Sequence, residues 1–430
     1  MPQIKDVLID VNPWWKGSFS ISFKERQVYK ELQKYMPLKH IIAFTGLRRV
    51  GKTTLMYKII EDSLRGGFDP KNILYFTFDE FKGAELRSVM KDYESLMEKD
   101  LRKGQYLILL DEIQKIGDWE GQLKAVYDLF GKNIKIIISG SESLFIRKKS
   151  RDTLAGRMFE FKVELLTFSE FLRFKGAELK PEGLYGKELL RLFEEFTITC
   201  GFPELVGVAD KDIITKYIRE SIIDKVIYRD IPGIFKIKDP SVLESLLNII
   251  MDEPGQIIEL ASLAGDMNLS RQTLSAYVSY LEQSFLIKKL YNFSRNRRKI
   301  ERKLKKYYPA AVSPTLLFKE DTLSKSRVFE AVIVSQLKAE FFWRDKYKNE
   351  VDIVIGSDTP VEVKYGKVDF SGVLAFMKKF GVKKGYIVTL DKEETREVNG
   401  FTIEVVPAFK FLQRMNLVKK QESFANSQLS

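Results

Sequence analysis

Two residue types that carry much enzyme chemistry are almost missing from this chain. Cys200 is the only cysteine and His40 the only histidine among 430 residues. A single cysteine excludes a disulfide within the chain and makes a reducing compartment the expectation. A single histidine excludes His-based triads and metal centres built on several imidazoles. Long apolar runs are also missing: no stretch reaches the roughly 18 residues that a membrane helix needs. The first residues, Met1-Pro2-Gln3-Ile4-Lys5-Asp6, lack the charged-then-apolar order of a secretory signal. A cytoplasmic location with no membrane partner is therefore expected. Whatever chemistry the chain performs falls to carboxylates, lysines, arginines, hydroxyls and bound metal.

What is present describes a globular protein with ample core, since 44% of residues are hydrophobic and 30% charged. The length suits two to four domains. Seventy-one Lys and Arg outnumber fifty-nine Asp and Glu, giving a net charge of +12. Such a balance favours polyanionic partners, nucleic acid first. A Lys- and Glu-rich surface kept for stability is the competing explanation.

The chain is organised around Gly46-Leu47-Arg48-Arg49-Val50-Gly51-Lys52-Thr53, a full match to G-x-x-x-x-G-K-[ST]. An apolar run, residues 40–45, precedes it, and residues 54–61 follow with helical spacing. Strand, glycine-rich loop and helix start together make an anion nest of backbone N–H groups from Gly46 to Thr54. In that setting Lys52 reaches the β- and γ-phosphates of a bound nucleotide, and the Thr53 hydroxyl is a Mg²⁺ ligand. Sixty residues on, Tyr106-Leu107-Ile108-Leu109-Leu110 ends in Asp111-Glu112. Asp111 then supports Mg²⁺ and Glu112 polarises the attacking water. No Asn-Lys-x-Asp base-reading motif occurs, which points to ATP rather than GTP. Residues 134–138 form another buried strand, ending in Ser139-Gly140-Ser141. The strand resembles the one that additional-strand P-loop ATPases end in a polar residue touching the γ-phosphate or the attacking water, which makes Ser139 and Ser141 the candidates; a plain Ser-Gly turn is the alternative. Arg151 and Arg157 are candidate arginine fingers, acting in cis or from a neighbouring subunit, with structural salt bridging as the competitor. Arg157 is preferred, because Leu154-Ala155-Gly156-Arg157 runs straight into the strand-like residues 158–163. The polar exit of a strand over residues 72–78, Asp79-Glu80, either faces the nucleotide or is merely solvated.

The order of these motifs, followed by Glu164-Leu165-Leu166-Thr167-Phe168-Ser169-Glu170-Phe171-Leu172, resembles the prokaryotic, largely archaeal, AAA-like P-loop ATPases. In additional-strand P-loop ATPases the Ser-ended strand lies between the two motif strands. The resemblance covers the whole chain. It implies an α/β protein: a P-loop NTPase parallel sheet with a helical lid, a winged-helix domain and a C-terminal α/β domain of restriction-endonuclease-like fold. ATP and Mg²⁺ are the cofactors implied, with DNA as a partner and a homo-oligomer or protein partner besides.

Domain limits follow from composition and periodicity: an arm over 1–20, where Trp14-Trp15 is expected to dock on the body; the ATPase core, 21–169; the lid, 170–240; the winged helix, 241–294; a basic linker, 295–319; the nuclease-like domain, 320–415; and a tail, 416–430. Ser270 caps the third helix of the winged-helix segment, where Arg271, Gln272 and Ser275 lead into a major groove if the module binds DNA. A protein-packing role is the alternative, and a stripe of Tyr277, Val278 and Leu281 is core under both. Residues 295–306 hold eight basic residues in twelve, among them Arg295, Arg297, Arg298 and Lys299, the best candidate for phosphate-backbone contact. A solvated wing is the alternative. In the last segment, alternation puts Glu362 and Lys364 on one face of a strand, with Asp352 on the strand before. This constellation resembles the Asp…Glu-x-Lys nucleases, in which the acids bind Mg²⁺ and the lysine orients water. Glu330, on a preceding helix, matches their extra acidic position. A nuclease-like domain kept for binding alone is the other reading.

Overall fold

A computed structural model describes residues 4–79, 81, 83–140, 153–177, 184–296, 298, 300, 304–356 and 358–415. Glu80, Ser141, Arg151, Arg297, Lys299 and the tail lie outside the described residues. The chain divides into two compact units, residues 1–164 and 165–430.

The first unit is built on a five-stranded parallel sheet of β1 (Ile41–Thr45), β2 (Ile73–Thr77), β3 (Tyr106–Asp111), β4 (Ile134–Gly140) and β5 (Met158–Lys162), in the order β2-β3-β4-β1-β5. Strands buried on both faces read as continuous apolar runs, and β1 and β3 are buried at every position. The strand of Ser139 therefore lies between the two motif strands, as the resemblance to additional-strand P-loop ATPases implies. Helices Lys52–Arg65, Leu86–Met97 and Trp119–Phe130 carry the crossovers. One apolar core joins Leu110, Trp119 and Leu123 to Phe76, Phe78 and Tyr93. The N-terminal arm forms a helix, Ile4–Val11, and then docks on β2. The indole N–H groups of Trp14 and Trp15 both donate to the Ile73 carbonyl, at 3.1 and 2.8 Å. The Asn12 amide accepts from Tyr75 N–H at 2.7 Å and donates to Tyr75 C=O at 2.9 Å.

The second unit is organised on one nine-stranded mixed sheet. Its strands are β6 (Ile257–Ile258), β7 (Ile287–Asn292), β8 (Lys305–Pro309), β9 (Phe341–Arg344), β10 (Glu350–Ile355), β11 (Thr359–Lys364), β12 (Lys384–Thr389), β13 (Glu394–Val398) and β14 (Phe401–Pro407). Their order is β13-β14-β12-β11-β10-β9-β7-β8-β6. The hairpin after residues 241–283 thus joins the sheet of the C-terminal strands through a parallel β7–β9 pair, with Tyr291 opposite Phe341.

Two readings of the chain change here. The helices Phe168–Lys175 and Gly186–Ile198, expected in an ATPase lid, bury Phe168, Phe171, Phe193 and Phe196 in the same core as Phe329, Phe342 and Val388. Their aromatic faces need an apolar partner, and the second unit supplies it. The linker over 295–319 contains β8, in which Lys306, Tyr307 and Tyr308 are buried. Within residues 211–234, π-helical turns occupy Tyr217–Ile223 and Val226–Asp230.

Residues 240–309 follow the order helix, strand, helix, helix, strand, strand: Pro240–Asp252, β6, Leu260–Asp266, Arg271–Gln283, β7 and β8. Ser270 caps the third helix by accepting from Thr273 N–H at 3.0 Å. Its buried stripe is Leu274, Val278 and Leu281, one turn earlier than expected at the N-terminal end, and Tyr277 is half-buried.

Candidate nucleotide site and C-terminal carboxylate cluster

The loop after β1 has the backbone that its glycines permit. Gly46 has φ +145° and Gly51 φ +97°, and a Cβ on Gly46 would sit 2.1 Å from the Val163 carbonyl oxygen. Only glycine lets the chain pass so close. Leu47 and Val50 are buried and anchor the loop, while Arg49 and Thr54 are exposed and Arg48 is half-buried. Arg26 braces it, donating to Val50 C=O at 2.9 Å and to Glu164 C=O at 2.7 Å. The Lys52 ammonium turns onto the loop's own carbonyls, Gly46 and Leu47, at 3.0 Å each.

Asp111 is the hub of this site. Its carboxylate accepts from Thr53 Oγ1 at 2.7 Å and from Tyr75 Oη at 2.9 Å on one oxygen, and from Ser139 Oγ on the other. β3 brings Asp111, β2 brings Tyr75 and β4 brings Ser139, because the three strands are neighbours in the sheet. Ser139 therefore spends its hydroxyl on Asp111. Glu112 follows with φ +55°, a left-handed backbone that is costly for a non-glycine residue and typical of working sites. Burial pushes its carboxyl up; Lys52 opposes this, and the Asp111 charge adds to it. Gln114 donates to Glu112 Oε2 at 2.7 Å. The donor set, a threonine hydroxyl on an aspartate beside a glycine-lined anion cup, fits a hard divalent cation carried by a nucleotide.

Arg157 is not brought to this centre. Its carbonyl accepts from Ile41 N–H, and Met158 pairs with Ile41, at the opposite end of β1 from the loop. Four residues of strand, about 13 Å, separate that end from Thr45. The guanidinium pairs instead with Asp128 at 3.2 Å. Asp79 pairs with Lys115. Tyr75 and Gln114 were not singled out from the sequence. A tyrosine inside an apolar strand reads as core, and only the strand order discloses that its hydroxyl meets Asp111.

In the second unit Glu330, Asp352, Glu362 and Lys364 do converge, but not alone. Asp352 N–H donates to Glu362 Oε2 at 3.3 Å, Val363 N–H to Asp352 Oδ2 at 2.9 Å, and Lys364 Nζ to Glu362 Oε1 at 2.6 Å. Lys306 enters the middle of the group. Its ammonium lies 2.5 Å from Glu350 Oε1 and 3.5 Å from both Glu330 Oε1 and Asp352 Oδ1. The Tyr308 hydroxyl donates to Glu330 Oε1 at 2.6 Å. Burial and the Asp352 charge push Glu362 up to about 8, and the same two causes raise Glu330. Burial alone would lower the Lys306 pKa; the charges of Glu330, Asp352 and Glu350 override it and hold the ammonium protonated. Among the described residues no group of three or more His, Cys, Asp or Glu side chains is arranged to hold a metal ion. The expected residues of the C-terminal segment thus stand together with Lys306 among them.

Of the candidate DNA contacts, Arg271, Gln272 and Ser275 are exposed along one end of their helix, and Arg298 is exposed. Arg295 is exposed but tethered, donating to Phe380 C=O at 2.8 Å and lying over its ring. No helix among the described residues is long and apolar enough to cross a membrane.

Comparison with known proteins agrees with the geometry of the first unit. Residues 38–172 match a family described as an AAA domain, and residues 190–313 match a domain of unknown function. An uncharacterized protein of Haemophilus influenzae is 27% identical over 60% of this chain, and the match spans 64% of that relative, just under two thirds of its length. Two uncharacterized proteins of Methanocaldococcus jannaschii are 27% and 25% identical over 79% and 84% of this chain, each over 77% of its own length. Among solved structures, Cdc6p from Pyrobaculum aerophilum is similar at 13% identity and a TM-score of 0.31, covering 75% of this chain and 97% of its own. AMPPCP-bound DnaA from Aquifex aeolicus aligns at 16% identity and a TM-score of 0.27, covering 61% of this chain and 89% of its own. Strand order, loop geometry and family match together make residues 38–172 similar to an AAA-type, ATPase-like P-loop domain.

Proposed function

We propose that this chain is a Mg²⁺-dependent ATPase that acts on DNA. The observation that carries the first half is the Thr53–Asp111 hydrogen bond at 2.7 Å. Two oxygen donors from different elements already stand where a nucleotide-bound cation needs them, so little reorganisation is left for binding. The loop N–H groups from Gly46 to Thr54 would hold the phosphates, and Lys52 would exchange its two carbonyl partners for phosphate oxygens. Mg²⁺, when bound, neutralises charge on the transferring phosphate. Glu112 would orient and accept a proton from the attacking water; its raised pKa brings it nearer the working pH of a general base. Tyr75 and Ser139 hold Asp111 still. Because Arg157 stands away from the loop of its own chain, its finger role requires a neighbouring copy. Arg157→Ala would then slow turnover only at concentrations where copies associate.

DNA contact is supported by the net charge and by exposed Arg271, Gln272 and Arg298. Two readings of the C-terminal unit remain: a metal-dependent nuclease, or a nucleotide-switched DNA- or protein-binding regulator that does not cut. Lys306, seated among the carboxylates, favours the second. Phosphate release by wild type against Lys52→Ala tests the ATPase; undiminished release in the variant would end that reading. Plasmid cleavage with Mg²⁺ or Mn²⁺, compared with Asp352→Ala and Glu362→Ala, tests the nuclease: cutting lost in both variants would reinstate it.

A further inference from the structure

The second unit contains a lysine that no motif accounts for. Lys306 belongs to a run that reads as surface charge, yet its side chain is 5% exposed. β8 is paired on both sides, Lys306 standing opposite Ile257 of β6 and Leu290 of β7. The backbone that delivers the ammonium is therefore a sheet interior, not a mobile linker. Alternation along β8 turns Lys306 and Tyr308 to the same face, and both reach the cluster. The ring of Phe342 lies 5.5 Å beneath the ammonium.

The surroundings close around it. Gly255, at φ +82°, passes so near that a Cβ there would lie 2.9 Å from Glu330 Oε1 and 3.0 Å from the Tyr308 hydroxyl. Four acids, Glu330, Glu350, Asp352 and Glu362, face two lysines, Lys306 and Lys364, with Arg344 also on Glu350 at 3.3 Å. Buried carboxylates require a counter-charge, and a divalent ion or a fixed ammonium can supply it. Here an ammonium touches three of the four acids, so the position they share already holds a cation.

We propose that Lys306 is the resident cation of this cluster, standing in the place a divalent metal would take, so that the native C-terminal site excludes Mg²⁺ and Mn²⁺. The lysine acts as a built-in plug, and the carboxylates serve to hold the sheet and not to assemble a metal-activated water. Because the proposal rests on the non-cutting reading of the second unit and not on the ATPase reading, its test omits nucleotide.

The test is a Mn²⁺ titration of the full chain, followed by the electron paramagnetic resonance signal of free Mn²⁺. An Asp111→Asn background removes the first unit's site. No Mn²⁺ should be taken up by this chain or by one that also carries Lys306→Arg. Lys306→Gln should take up one Mn²⁺ per chain, and Asp352→Asn added to it should abolish that binding. Uptake by the lysine-containing chain that is lost on Asp352→Asn would overturn the proposal, whether or not the Lys306 variants fold. So would a folded Lys306→Gln chain, with unchanged circular dichroism, that still takes up none. ATP turnover measured separately would be unaffected by either result, so failure of one reading does not imply failure of the other.

Discussion

The two units each gather carboxylates beside a sheet, and they solve the problem of negative charge in opposite ways. Around Asp111 the partners are neutral hydroxyls, those of Thr53, Tyr75 and Ser139. They satisfy lone pairs without cancelling the charge, which leaves the acid able to attract a cation. Around Asp352 the partner is an ammonium that cancels charge on the spot. A site dressed with hydroxyls stays open to an incoming ion; one filled by lysine is complete without it. The contrast teaches that a set of acidic residues is read correctly only with its counter-charges.

The most severe way to break this contrast is to remove the ammonium. Lys306→Met should destabilise the second unit by about 3–5 kcal/mol, because buried acids lose their partner; urea unfolding followed by tryptophan fluorescence measures it, and a loss within the ordinary scatter of about 0.5 kcal/mol for surface changes would deny Lys306 that role. In the first unit the corresponding lysine holds two loop carbonyls. Lys52→Ala should leave folding nearly intact and cut phosphate release about 10²–10³-fold. The pH response should differ as well. The folded-state pKa of Glu362 lies near 8, above its ordinary 4.5, so the native state holds a proton that the unfolded chain has released. Stability of the second unit should be fullest below pH 4.5 and decline as pH rises toward 8. Glu362→Gln should flatten the decline; a curve unchanged by that substitution would assign the slope elsewhere. A smaller effect is expected at Tyr75→Phe, which removes one hydroxyl from Asp111. It should weaken Mg²⁺ dependence by about 1.5 kcal/mol in apparent affinity, seen as a raised Mg²⁺ requirement for turnover with the fold unaltered. The smallest is Arg298→Glu, which should lower the salt slope of DNA binding by about one unit; an unaltered slope removes this residue from the nucleic-acid surface.

Much of the first unit was legible because its signals are local. β1, β3 and β4 are apolar runs ended by polar residues, and the loop between β1 and its helix is defined by two glycines, a lysine and a threonine in eight positions. The hidden features are non-local. Tyr75 looks like one more core aromatic until β2 is set beside β3. Arg157 stands next to a strand as expected, but the parallel register puts that strand's start at the far end from the loop. Lys306 is masked by its company: seven other basic residues surround it in sequence, while the acids that hold it lie at 330, 350 and 352. The aromatic faces of Phe168–Lys175 and Gly186–Ile198 are plain in sequence as amphipathic helices, yet periodicity names no partner, and both pack into the second unit.

The docked arm has a consequence for how copies of this molecule meet. β2 is the outermost strand of the parallel sheet, and its outward peptide groups would otherwise invite a foreign strand. Asn12 returns both hydrogen bonds of Tyr75, and the two indoles take the Ile73 oxygen. One side-chain amide thereby imitates a further strand while presenting nothing to extend, which keeps this margin from seeding fibre-like stacking.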